Sequence, residues 1–201
     1  MILRREFPSY EDYVYAQGGK ARRNRAELLA SMPKRVRVFE ELFRQAKPHL
    51  QKGAVLCLGA RTGAEMLGAA AAGFAGSVGI DLHPVGKGVR AGDWHCMPEF
   101  ADGSFPNIYT NSFDHCLYLE KACAEVLRIL APRGCFYLMA SDKGDKSQQK
   151  EIDKWKASTK HNEAIFWSRS EELRDAVLAL GFKERRSWRS GCWGHFILGR
   201  S

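Results

Sequence analysis

The chain has 201 residues, 45% of them hydrophobic and 27% charged, without a low-complexity tract. That length suits one domain whose sheet is covered on both faces, and the composition excludes a disordered or fibrous protein. The net charge of +8, from 31 Lys and Arg against 23 Asp and Glu, favours anionic partners, nucleic acid among them, without assigning a function.

The N-terminus, MILRREFPSY, has too few apolar residues before its arginines for the core of a signal peptide, so a cytoplasmic protein is expected. The least polar stretch, Met66 to Ile80, is shorter than a membrane span and is cut by Gly68, Gly73, Gly76 and Gly79. The six cysteines form no C-x-x-C pair and no Cys/His cluster of zinc spacing, so buried, reduced thiols and no metal are expected.

Residues 1–52 read as a helical extension capping the domain that follows at 53–201. Gly18-Gly19 breaks it, and Ser31 with Pro33 starts a helix carrying Val36, Phe39 and Phe43, which Pro48 and Gly53 end. The apolar run from Ala54 to Leu58, bounded by glycines, suits a strand buried on both faces of a parallel sheet. A helix of small residues is expected from Gly63 to Ala72, then a strand from Ser77 into Asp81, a weaker one at Val89 to Ala91 and a fourth at Pro106 to Asn111. Leu119, Cys123, Val126, Leu127 and Leu130 share one helical face, which Pro132 and Gly134 close, and Cys135 to Ala140 gives a fifth strand. A polar, lysine-rich insertion follows at about 141–162. Ser168-x-x-Glu171 reads as a capping box for a helix with Leu173, Ala176, Val177 and Leu180 on one face, stopped by Gly181. Two final strands, Phe182 to Trp188 and Trp193 to Gly199, are joined too closely to be anything but antiparallel neighbours. The expected architecture is a Rossmann-like α/β three-layer sandwich with a mostly parallel seven-stranded sheet and one antiparallel strand near the C-terminus.

In such sheets ligands bind beyond the carboxyl ends of the strands, so the residues there carry the functional reading. After the first strand comes Gly59-Ala60-Arg61-Thr62-Gly63, whose glycines let backbone approach a ligand at a helix N-terminus. Asp81, 22 residues after Gly59, can accept hydrogen bonds from both ribose hydroxyls of an adenosine cofactor; its alternative is a turn cap. Asp93 can accept from an adenine amine beside Trp94, which can stack on the ring.

From residue 54 to about 140 the chain resembles the class I S-adenosylmethionine-dependent methyltransferases, especially their type 11 branch. The resemblance rests on ordered blocks: VLCLGARTG, VGID, GDWHCMPEFADGSF, IYTNSFDH and EVLRILAPRGCFYL. The loop CLGARTGAE is further similar to a little-characterised plant and microbial subgroup. The resemblance implies S-adenosylmethionine as cofactor, with Gly59, Ala60, Arg61, Thr62 and Gly63 bordering its methionine portion. It also implies Asp81 with Leu82 at the ribose, Asp93 and Trp94 at the adenine, and Asn111 and Ser112 near the sulfonium. Three positions depart from the pattern: Cys57 replaces the usual acid, Arg61 the middle glycine, and Pro106 an Asp after Phe105. Either Glu65 or Arg61 then substitutes in holding the methionine ammonium and carboxylate, or binding is weakened.

Methyl transfer from a sulfonium mainly needs alignment and exclusion of water. For a hydroxyl acceptor, His115 or Asp114 is the best-placed base, with His95 of similar standing; as an alternative, His115 merely opens the next helix. Asn111-Ser112-Phe113-Asp114 is not the N/D-P-P-Y signature of amino methylation on bases or glutamine. A small-molecule acceptor is the leading expectation. RNA methylation stays open, given the charge and Trp155, Trp167, Trp188 and Trp193 among basic segments, as does an inactive module that keeps the fold. A nicotinamide dehydrogenase is disfavoured because the loop lacks the G-x-G-x-x-G order.

Overall fold

A computed structural model of the chain describes residues 2–144 and 163–201. A short strand β1 (Leu3–Arg4) leads into four helices: α1 (Tyr10–Gln17), α2 (Gly19–Arg23), α3 (Arg25–Ala30) and α4 (Met32–Ala46). Pro33 lies in the first turn of α4, where its missing N–H leaves no bond unmade. Phe39, Phe43 and Ala46 form the buried stripe of α4, while Val36 is only partly buried.

The remaining elements are β2 (Val55–Leu58), α5 (Ala64–Ala71), β3 (Val78–Asp81), β4 (Arg90–Ala91), β5 (Phe105–Thr110), α6 (Leu119–Ile129), β6 (Leu130–Ser141), β7 (Ile165–Phe166), α7 (Ser170–Leu178), β8 (Phe182–Ser190) and β9 (Trp193–Arg200). Seven strands form one sheet in the order β4-β3-β2-β5-β6-β9-β8. The strands from β4 through β6 pair in parallel, and β9 runs antiparallel to both β6 and β8. The chain winds outward from β2 to β4 and then returns to β5, so strand order reverses between β2 and β5. That reversal opens a crevice at their carboxyl ends.

Successive residues of the strands supply two cores, as the two-residue period of a strand demands. Leu56, Leu58, Ile108, Phe136 and Leu138 pack against α6 and α7, whereas Val55, Cys57, Tyr109, Cys135 and Tyr137 pack against α4 and α5. Gly68 sets how closely those two helices lie, because a Cβ there would come within 2.5 Å of Phe39 Cβ and 2.8 Å of the Glu40 backbone nitrogen.

The structure differs from the expected elements at several points. β6 begins at Leu130 rather than Cys135, because Leu130 pairs with Phe105 before a register shift in β5. The anticipated capping box does not form: α7 starts at Ser170, and its first N–H donates to Asp142 Oδ1 at 2.9 Å, an oxygen from the end of β6. β1 pairs with β7 in a small antiparallel ribbon, Leu3 opposite Phe166, that no sequence pattern announced. All six cysteines are free, but Cys96 and Cys192 are exposed rather than buried. Of the polar insertion, residues 145–162, with Trp155, lie outside the described residues. Among the described residues no helix is long and apolar enough to cross a membrane.

Candidate functional site

The loop leaving β2 is built on two left-handed glycines, Gly59 (φ 76°) and Gly63 (φ 83°). Gly59 has a second reason to lack a side chain, since a Cβ would meet Ser112 and Trp94 at 2.9 Å. Gly59 and Ala60 N–H groups both donate to the Ile80 carbonyl, at 3.0 and 2.9 Å, which clamps the loop to the end of β3. Gly86 presses on the other side, its missing Cβ falling 1.8 Å from the Thr62 carbonyl oxygen, so the chain after β3 can cross here only with glycine.

Asp81 ends β3 and is 5% exposed. Its two carboxylate oxygens accept the backbone N–H groups of Arg61 (3.1 Å) and His83 (2.7 Å), so it acts as a turn cap; it also lies 3.7 Å from Arg61 Nε. The Arg61 guanidinium additionally donates to the Gln17 carbonyl of α1 at 3.4 Å. Together with Tyr13, Gln17, Leu82, Trp94 and His115, these groups enclose a space of only about 20 Å³.

A second, polar cavity of about 170 Å³ opens beside it, across the ends of β2, β3 and β5. Gly59, Arg61, Thr62, Asp81, Trp94, Asn111, Ser112, Asp114 and His115 of the expected set line it, joined by Arg35 and Glu65. Glu65, in the first turn of α5, is 3% exposed, and its Oε1 accepts from Arg35 of α4 at 2.8 Å. Burial raises the Glu65 carboxyl above its ordinary range, and Arg35 offsets only part of that. Five buried polar atoms of cavity-lining side chains lack a hydrogen-bond partner: Arg35 Nε, Arg61 Nε, Thr62 Oγ1, Glu65 Oε2 and Trp94 Nε1. Each such orphan costs about 1–3 kcal/mol unless something satisfies it, so the side chains around this cavity hold unused hydrogen-bonding capacity.

Asp93 is engaged elsewhere. Its carboxylate takes the hydroxyl of Tyr10 and the ring and backbone N–H of His95, and it lines neither cavity. Burial opposes its ionisation, but those hydrogen bonds outweigh burial and hold it below the usual carboxylate range. His95 Nε2 accepts the Tyr118 N–H at 3.2 Å, which fixes its proton on Nδ1 and commits it to Asp93. This network docks α1 onto the chain after β4.

His115 and Asp114 sit in a 3₁₀ turn, Phe113–His115, rather than at the start of a helix. His115 Nδ1 faces Gln17 Oε1 at 3.0 Å. Asp114 pairs with Lys143 at 2.7 Å; although burial works against ionisation, His115 and Lys143 hold its carboxyl below the usual range, which disfavours proton uptake. Asn111 and Ser112 follow Thr110, whose hydroxyl donates to the Leu58 carbonyl at 3.1 Å and so ties β5 to the end of β2. Tyr10, Tyr13, Gln17 and Arg35 escaped the sequence reading because they precede the first long strand and carry no motif. Glu65 did carry a signal, as the one acid in an otherwise apolar helix.

The strand order, with one reversed strand inserted between two others, defines the class I methyltransferase fold. Solved structures agree. PH0226 from Pyrococcus horikoshii OT3 is similar over 84% of this chain and 91% of its own, with a TM-score of 0.62 at 18% identity. A chain from the Haloferax volcanii complex containing the Trm112 methyltransferase activator matches 92% of this chain and 97% of its own, with a TM-score of 0.64 at 15% identity. Geranyl diphosphate C-methyltransferase from Streptomyces coelicolor A3(2), solved with Mg2+, geranyl diphosphate and S-adenosyl-L-homocysteine, matches over 80% and 79%, with a TM-score of 0.60 at 12% identity. The chain also matches longer methyltransferases, of which it spans only about half. No family model and no curated protein matches the sequence.

Proposed function

We propose that the chain is an S-adenosylmethionine-dependent methyltransferase with a small-molecule acceptor. The observation that carries this reading is that five side chains lining the cavity beyond the glycine loop each keep a buried polar atom without a hydrogen-bond partner. That donor set suits the methionine end of the cofactor: Glu65 Oε2 for the ammonium, and Arg35 and Thr62 for the carboxylate. Asp81 suits the ribose once the Arg61 side chain turns out of its way. Gly59, Ala60 and Gly63 form the turn against which the cofactor lies, Leu82 and Trp94 flank its adenosine half, and Asp93 contributes by docking α1 from behind.

S-adenosylmethionine, when bound, supplies a methyl group already activated by sulfonium. The remaining work falls to the chain. Tyr13 and Gln17 of α1 close off the narrow space beside Leu82 from water, and Asn111 and Ser112 border the place where the acceptor's nucleophile must arrive. His115, whose Nδ1 faces Gln17 Oε1, and Asp114 are the residues placed to take a proton from a hydroxyl acceptor. Asp114, paired with Lys143, lies 3.9 Å from His115 Nε2 and suits stabilising that ring once it is protonated. On this reading residues 1–52 cap a domain at 53–201, and the protein works in the cytoplasm.

Calorimetric titration with S-adenosylmethionine and S-adenosylhomocysteine, with NAD as control, tests the proposal. Micromolar binding of both sulfur compounds, lost in Asp81→Ala, is expected. A folded protein that binds neither would instead be a module that keeps the fold without the cofactor, a reading favoured by Arg61 standing against the Asp81 carboxylate.

A further inference from the structure

A larger groove, of about 540 Å³, runs along α4. Its walls are Val38, Phe39 and Leu42 of α4, Met139 of β6 and Trp193 of β9. Val38 is 58% exposed, a large apolar side chain left uncovered on this wall. Two further lining residues, Arg35 and Asn111, also border the cavity beyond the glycine loop, so the two spaces are neighbours across these side chains near the end of β5. The groove lies within the usual size range of small-molecule sites, about 300–1,000 Å³. Lys34 and Glu41 line it with opposite charges and Arg35 is paired with Glu65, so the lining favours no net ligand charge.

One polar group in the groove is set by chemistry that the methyl-transfer site does not use. His195 is buried and stacked flat on Trp188, with ring centroids 4.9 Å apart. Its Nδ1 lies 2.8 Å from the Tyr137 hydroxyl and its Nε2 lies 2.7 Å from Ser190 Oγ. Burial pushes the Tyr137 phenol up, so it keeps its proton, and pushes His195 down to about 4, so the ring is neutral near pH 7. A neutral ring has one N–H. Where Tyr137 donates to Nδ1, the ring proton lies on Nε2 and is donated to Ser190, which leaves the Ser190 hydroxyl proton for a ligand in the groove.

We propose that this groove binds the apolar, ring-bearing body of a small molecule that presents an oxygen to the Ser190 hydroxyl and extends toward Asn111. That this molecule is the methyl acceptor rests on the methyl-transfer reading above; the groove itself does not. Its place beside the polar cavity, with Arg35 and Asn111 shared between them, argues for a small molecule over a protein partner, which would not need to reach that cavity.

The test is a fluorescence titration of the full chain with prodan, a neutral naphthalene ketone, run beside calorimetry with S-adenosylhomocysteine. Saturable prodan binding is expected. Val38→Glu, at an exposed position that leaves folding intact, should weaken it at least about tenfold by placing a charge on the apolar wall. Ser190→Ala should weaken it about threefold and move the bound emission further to the blue, because the ketone loses its hydrogen bond. S-adenosylhomocysteine affinity should stay within about twofold in both variants. No saturable binding, or wild-type affinity and emission in both variants, overturns the proposal. So does light scattering that shows a dimer dissociating in Val38→Glu, since a second copy would then cover the groove. Prodan results as expected in a protein that never binds S-adenosylhomocysteine would leave the groove standing and sink the methyl-transfer reading alone.

Discussion

The two halves of the crevice beyond β2 are built in opposite ways. Toward Asn111, the chain leaves Thr62, Glu65 and Arg35 with unmet polar atoms around about 170 Å³ of open space. Toward Leu82, the chain fills the space itself, with Arg61 against Asp81 and donating to the Gln17 carbonyl, and about 20 Å³ left open. On the methyl-transfer reading, the first half suits a ligand as it stands, whereas the second must be cleared of its own side chain. A cofactor spanning both halves gains at one end and meets a cost at the other.

Breaking the shared carboxylate should have the largest effect. Asp81→Ala removes the one acid facing both cavities and should cost about 3 kcal/mol of S-adenosylhomocysteine binding, roughly 100-fold, measured by calorimetry. A loss below about fivefold would mean that Asp81 serves only as the turn cap for Arg61 and His83.

Glu65→Gln should act next, and in opposite directions on binding and stability. Losing the charged partner of an ammonium should weaken S-adenosylhomocysteine about tenfold. The folded carboxyl sits above its ordinary range because burial outweighs Arg35, so the folded state holds its proton over a window where the unfolded chain has lost it. The contribution of Glu65 to stability is therefore full below the ordinary glutamate pKa and is lost as pH rises through the raised one. Near neutral pH the cofactor-free Gln variant should melt higher than the parent, by about 2 °C, with the gap closing as pH falls below the ordinary glutamate range. A variant that melts lower throughout would show that the ion pair with Arg35 governs stability there.

The sequence made the scaffold more legible than this contrast. An apolar run between glycines identified β2, a three- and four-residue spacing identified α6, and the short Ser190 to Trp193 connection required antiparallel β8 and β9, all local patterns. β1 and β7 escaped because they pair with each other across most of the chain, and Asp142 as the partner of the first α7 N–H escaped because it lies 28 residues from Ser170. At the site, the loop glycines and Asp81 were legible as a motif. The pairing of Arg35 with Glu65 was not, since it depends on α4 lying close against α5 over Gly68. Nor could the sequence indicate that Asp93 turns toward Tyr10 and His95, because that bond waits on where α1 docks.

Arg61→Gly carries the smallest expected effect and sharpens the contrast most. In the cofactor-free chain the Arg61 side chain stands 3.7 Å from the Asp81 carboxylate and bridges to α1, the space that an adenosine ribose would need. If the residue is only an occupant, removing it spares the cofactor the work of displacing it. Affinity for S-adenosylhomocysteine should then tighten about fivefold, close to 1 kcal/mol. The effect should appear as strongly for adenosine, which lacks the methionine end. If Arg61 instead swings out and pairs with the methionine carboxylate, the glycine variant binds S-adenosylhomocysteine more weakly while adenosine still tightens. Titrating both ligands against one variant therefore separates a plug from a clamp, and the sign of the S-adenosylhomocysteine change decides which half of the crevice Arg61 serves.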